Sequence, residues 1–141
     1  MDNGDRIAKQ IVSFDGEFQL WVFDPSHGRL LLRRAGEKGK LKRVDIMFND
    51  VIVIELSCFF DTIAIEEVER SSITQGLYAV KQSLEPGLKL FRIRTRYWVG
   101  YVVAAVVGWH EDDGGISDPS ALYEAGPAII GLTENSSWRK K

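Results

Sequence analysis

The stretch from Leu41 to Glu69, LKRVDIMFNDVIVIELSCFFDTIAIEEVE, constrains this chain more than any other. It is dense in Val, Ile and Phe, and neither Gly nor Pro interrupts it. β-Branched and aromatic residues suit a pleated, half-buried surface. The composition therefore predicts a pair of buried strands joined by a short connection. Val44, Ile46 and Phe48 share one face by the strand period of two, with Arg43, Asp45 and Asn49 on the other. Asn49-Asp50 reads as a tight turn or a bulge, since both residues tolerate left-handed φ. Val51 to Leu56 is almost wholly apolar, which predicts a strand covered on both faces. Ile63 and Ile65 resume an alternating strand that ends in Glu66, Glu67 and Glu69.

The flanking sequence extends the same pattern. Glu17 to Phe23 reads as a strand, with Phe18, Leu20 and Val22 on one face and Trp21 and Phe23 on the other. Asp24-Pro25-Ser26-His27-Gly28 is a turn, and Arg29 to Arg34 returns, so residues 17–34 predict a hairpin. Residues 35–40 predict an exposed loop. Leu88 to Tyr97 alternates clearly: Phe91, Ile93, Thr95 and Tyr97 lie one way, Arg92, Arg94 and Arg96 the other. Tyr101 to Trp109 is apolar on both faces, which predicts a central strand. Asp118-Pro119 predicts a helix start, with Asp as N-cap and Pro at the first helical position, and the helix ends before Gly126-Pro127. Residues 128–132 predict an edge strand, and residues 70–87 mix loop with a short strand or helical turn. The expectation is one mainly antiparallel β domain, a sandwich or partly open barrel with one or two short helices. Its ordered core runs from about residue 14 to 132, between a flexible N-terminal arm and a flexible tail.

Composition narrows the function classes. The chain has 141 residues, 45% hydrophobic and 27% charged, enough for a core without metal or disulfide support. Cys58 stands alone, so no intrachain disulfide is possible, and beside Phe59 and Phe60 it reads as a buried apolar thiol. A net charge of −2 gives no overall pull toward nucleic acid or anionic membrane. The N-terminal sequence has no apolar leader core, and the longest apolar run, residues 97–109, is too short for a membrane helix. A cytoplasmic protein is expected.

The chemistry-bearing residues are few. His110-Glu111-Asp112-Asp113 could offer an imidazole and carboxylates to a metal, but neighbours on an extended chain point in alternating directions. No His-x-His or Cys-x-x-Cys spacing accompanies it, so no metal and no cofactor are expected. Ser26 or Ser120 could be combined with His110 and an Asp, yet no Gly-x-Ser-x-Gly elbow supports a hydrolase. Catalysis is therefore not expected. Charge patterning says more. Arg29, Arg33, Arg34, Lys38, Lys40, Lys42 and Arg43 crowd together, and Arg92, Arg94 and Arg96 form a second stripe. A joined basic face drawing on Arg33, Arg43 and the stripe, with Tyr97, Trp98 and Tyr101 for stacking, would suit single-stranded nucleic acid. The competing expectation is that these arginines cover apolar surface and pair with acids at 61–69 and 111–118. Glu66, Glu67 and Glu69 with Glu111, Asp112 and Asp113 would then face a basic partner protein. A barrel lined by Trp21, Trp98 and Trp109 could instead enclose a small apolar ligand, and an exposed edge strand could form a homodimer.

Three stretches carry a resemblance. They are Ser26-His27-Gly28-Arg29-Leu30-Leu31-Leu32-Arg33, then Arg43-Val44-Asp45-Ile46-Met47-Phe48, then Gly100-Tyr101-Val102-Val103 running to Trp109-His110-Glu111-Asp112. Together, over about residues 17–125, they resemble small uncharacterised bacterial β-rich families, some proposed as immunity proteins encoded beside toxins. The resemblance implies a non-enzymatic protein that binds another protein, and it carries no catalytic residues.

Overall fold

The computed structural model describes residues 8–69 and 86–125. Among the described residues the strands are β1 (Ala8–Asp24), β2 (Arg29–Arg34), β3 (Arg43–Asn49), β4 (Val53–Glu55), β5 (Phe59–Val68), β6 (Lys89–Arg94), β7 (Val99–Ala104) and β8 (Val106–Asp112), followed by a short helix, α1 (Ala121–Ala125). All pairs are antiparallel, in one sheet of order β4-β7-β6-β5-β1-β2-β3-β8 that does not close into a barrel. The mainly β, partly open architecture expected from the alternating patterns is what forms.

The sheet nevertheless curls over its own inner face. β1 is the axis of the curl. It pairs with β5 along most of its length and with β2 over Gln19–Asp24, and its register shifts at Gln10/Val12, Phe14/Glu17 and Leu20/Val22. Each bulge bends the strand and adds twist; at the second, Gly16 takes φ +99°, a conformation that an L side chain rarely adopts. The curl brings β3 over β6, where Phe48 and Phe91 meet edge to face at 5.5 Å. Phe18, Leu30, Leu32, Val44, Ile46, Phe60, Ile63, Ile65, Ile93 and Val102 fill the same interior. Phe18 and Phe60 stack at 6.0 Å, and Trp98 abuts Phe60 at 5.5 Å. The interior is thus packed with side chains rather than hollow.

The outer face of β2, β3 and β8 is also covered. Leu31 and Met47 pack with Leu122 of α1, flanked by Trp21, Val106 and Tyr123. Beside them lie ion pairs that the sequence alone left open. Arg33 holds Asp45 through two bonds of 2.7 and 3.0 Å, both side chains 1% exposed. Arg43 grips Asp112 through Nε and Nη2 at 2.9 Å each, and donates further to the carbonyls of Gly115, Asp118 and Pro119. Every donor of that guanidinium fork is used, and the chain after β8 is strapped to the sheet. Gly114 is needed for this approach, because a Cβ there would sit 2.6 Å from Arg43 Cζ.

Several expectations change. The strand pattern begins at Ala8, so residues 8–14 are β1 and not a frayed arm; the bulge at Gly16 hid the continuity. The 41–69 stretch holds three strands rather than two, and none pairs with another: β2 and β1 lie between β3 and β5, and β4 pairs with β7. Val51 to Leu56 is no doubly covered strand: β4 is a three-residue edge, and Ile52 is 52% exposed. The apolar run 101–109 is split at Ala105, where the chain passes from β7 to β8, and β8 forms the opposite edge. Ser120, not Asp118, caps the helix, its hydroxyl accepting the Leu122 N–H at 3.1 Å. Cys58 is exposed rather than buried. The expectations for residues 70–85 and beyond 125 lie outside the described residues. Among the described residues, no helix is long and apolar enough to cross a membrane.

This packing predicts two large effects in urea denaturation. Phe48→Ala should cost about 3–5 kcal/mol through the cavity it leaves. Asp45→Ala should cost a similar amount, about 3–5 kcal/mol, by stranding the buried Arg33 charge.

Candidate binding groove at the open mouth

Among the described residues, the curl leaves one end of the inner face uncovered. There Glu17, Phe18 and Gln19 of β1, Arg34 and Ala35 at the end of β2, Leu41, Phe59, Phe60 and Asp61 of β5, and Thr95, Tyr97 and Trp98 of the β6–β7 turn line a groove of about 580 Å³. Phe18, Phe60 and Trp98 belong to the inner cluster, so the groove is the accessible end of the core itself. Its rim is unusual for a polypeptide surface. Tyr97 is 84% exposed, Phe59 70% and Leu41 44%. Single exposed apolar residues are ordinary, but several around one apolar concavity mark an interaction surface.

Local structure explains why the rim stands out. Thr95 closes the turn, its N–H and hydroxyl both donating to the Trp98 carbonyl at 2.9 Å. This turns Trp98 inward and leaves Tyr97 at the tip. Arg96 anchors the turn to β5: its N–H donates to the Asp61 carbonyl and its Nε to the Asp61 carboxylate. That hydrogen bond, helped by the nearby charge, raises the Arg96 pKa. Ser57 bonds the backbone of Phe59, with its hydroxyl donating to the Phe59 carbonyl at 2.9 Å, and Phe59 stays outside the core while Phe60 enters it.

Unfavourable local features gather at this mouth. Thr62, next to Asp61, has φ +60°, costly for a β-branched residue. Gly16 lies across the β1 bulge from it. Arg34 is 8% exposed, and its Nη1 and Nη2 donate only to the carbonyls of Asp15 and Lys42, at 2.8 Å each. Its Nε has no hydrogen-bond partner. Arg33, Arg43 and Arg29 each have a carboxylate within salt-bridge distance, namely Asp45, Asp112 and Asp24. Arg34 has none among the described residues. Strain and unsatisfied polar groups persist where the surrounding structure holds them, and they concentrate at binding sites.

The residues singled out from sequence fall elsewhere. Arg33 and Arg43 are buried in ion pairs beneath the strap after β8, so they cannot join an accessible basic face; this corrects that expectation. Arg92 and Arg94 both reach Glu66, with Nε–Oε1 distances of 2.6 and 3.0 Å, because Glu66 sits directly across the ladder from Arg92. Arg96 is held by Asp61. The competing expectation, arginines paired with acids at 61–69 and 111–118, describes the contacts of Arg43, Arg92, Arg94 and Arg96, but not that of Arg33, whose partner is Asp45. Among the acids, Glu67 faces Lys89 at 3.7 Å, Asp113 faces Lys42 at 3.6 Å, and Asp112 is committed to Arg43. Glu66, Glu67 and Glu69 belong to β5 and its end, whereas Glu111, Asp112 and Asp113 belong to β8 and its end. β1, β2 and β3 separate the two groups in the sheet.

The serine weighed with His110 has another imidazole beside it: Ser26 Oγ and Asp24 Oδ2 meet the same nitrogen of His27, Nδ1, at 3.0 and 2.8 Å. Ser120 is a helix cap. His110 Nε2 lies 3.7 Å from Asp112, and among the described residues no three His, Cys, Asp or Glu side chains converge as a metal site. The groove itself was missed from sequence. Its signal was the adjacency of Phe59 to Phe60 and of Tyr97 to Trp98, in which one aromatic must face out if its neighbour faces in. Comparison with protein-family models, curated proteins and solved structures finds no match to this chain.

Acid titration tests the strap that holds the far side of the sheet. Burial raises the Asp112 pKa, but hydrogen bonds from Arg43 and the Gly114 N–H and the Arg43 charge outweigh it, leaving it below the ordinary 3.8. A carboxylate with a lowered folded pKa contributes stability above the unfolded pKa and loses it as pH falls through the folded value. Asp112→Asn should therefore be less stable than wild type at neutral pH, by about 1.5–3 kcal/mol for a charged hydrogen-bonded pair. The gap should close as pH falls below about 3.8. Urea midpoints across that range read it.

Proposed function

We propose that this protein is a non-catalytic protein-binding module that takes its partner at the groove. The observation that carries the reading is the exposure of Tyr97 and Phe59, 84% and 70%, on the rim of a groove floored by core aromatics. Aromatic anchors in apolar concavities dominate the energetics of protein interfaces. A small molecule in the groove would leave much of both rings in water, whereas a protein surface can cover them. The resemblance to immunity-type families adds one form of the reading, in which binding and occluding a partner protein is the whole activity. A nucleic-acid role would need free arginines, and Arg92, Arg94 and Arg96 are each paired with a carboxylate on β5.

Site-specific photo-crosslinking in source cells tests this. A photoreactive residue replacing Tyr97 should yield a discrete protein adduct that survives nuclease, and one replacing Glu111 should not. Phe59→Ala combined with Tyr97→Ala should weaken the captured interaction by about 100-fold or more, as loss of hot-spot residues does. Each of these substitutions should change stability by no more than about 0.5 kcal/mol. An adduct at position 111 and none at 97, or undiminished binding by the double variant, would overturn the assignment.

A further inference from the structure

Arg34 gives the groove a chemical preference. Burying a charge is unfavourable unless it is paired, and among the described residues Arg34 is the buried arginine without a carboxylate. Two backbone carbonyls accept from it, and Nε has no partner. It lines the groove together with Phe18, Phe60 and Trp98. A cation beside an apolar floor selects a ligand with an apolar group and an anionic group close together. Resting on the reading of the groove as the partner site, we propose that its occupant is a segment of a partner protein presenting an apolar side chain next to a carboxylate, the carboxylate lying beside Arg34.

The acids in the lining do not cancel this preference. Asp61 is already neutralised by Arg96. Glu17 is exposed to water, where charge interactions are several-fold weaker than at a partly buried site. The lysines of the neighbouring loop are outside the lining, and Lys40 and Lys42 have Glu37 and Asp113 as partners. Arg34 is therefore the charge that a ligand entering the apolar floor meets without an intervening counter-ion.

The probes are 3-phenylpropionate and its uncharged analogue 3-phenylpropionamide, mimics of the apolar-plus-carboxylate unit, titrated into the full chain and followed by backbone amide NMR. The acid should bind about 10-fold more tightly than the amide, with shifts concentrated at residues 17–19, 34–35, 59–61 and 95–98. The advantage should shrink as salt rises. Arg34→Met keeps the apolar stem and removes the charge. It should erase the preference while the amide still binds; should that variant fail to fold, the acid-to-amide ratio on wild type decides alone. Equal binding of both probes in the groove would overturn the carboxylate claim and leave the groove reading standing. If neither probe shifts the groove residues, both fail. A preference that persists in folded Arg34→Met would also contradict the proposal.

Discussion

An apolar face on an open eight-stranded sheet has to be covered, and this chain covers it with itself. β1 makes that possible. It is paired on one side with β5 and on the other with β2, and its bulges let a single strand turn the corner between the two halves. Once the halves face each other, Phe48 meets Phe91 and the interior fills. The passages that cross between the ends, at Asp50 after β3 and at Ala105 after β7, are short. They are fixed by backbone bonds: Val51 donates to the Gly28 carbonyl, Ile52 to Val103, and Ala105 to Asn49, each at 2.9 Å.

A curled sheet that does not close must have an unsealed end. On the outer side of β2, β3 and β8, the chain after β8 serves as cover, and Arg33 and Arg43 bind it to the sheet by donating to its carbonyls. At the mouth nothing among the described residues does the same, so the half-buried Trp98 meets solvent above the buried Phe18 and Phe60, with the exposed Phe59 and Tyr97 beside it. The contrast among the arginines follows from the same geometry. Arg33 lies on the outer face, across the ladder from Asp45. Arg34 falls on the inner face with Leu30 and Leu32, where the described residues supply carbonyls but no counter-ion.

Much of the fold was legible because period-two patterns are local. The alternation of Val44, Ile46 and Phe48, and of Phe91 and Ile93, marks the inner face without knowledge of neighbours. What was not legible depended on pairing. The Tyr101–Trp109 run looks like one central strand, yet it divides into β7 and β8 near opposite ends of the sheet, because apolar residues face the interior from both places. Arg33 and Arg43 look like surface cations in a basic run; only the register that sets Asp45 and Asp112 against them, and the strap above, makes them buried. The groove depends on which of two adjacent aromatics turns inward, a choice set by the turn at Thr95 and the bulge near Gly16 rather than by composition.

The measurement that bears most directly on the central claim needs no knowledge of the partner. It is a fragment screen by NMR, using indole and phenol as neutral aromatic probes and mapping every perturbed amide. The account predicts that the shifts cluster at the mouth, around Phe18, Phe59, Phe60 and Trp98. Perturbations centred on the strap after β8, or scattered over the surface with no cluster at the mouth, would contradict it.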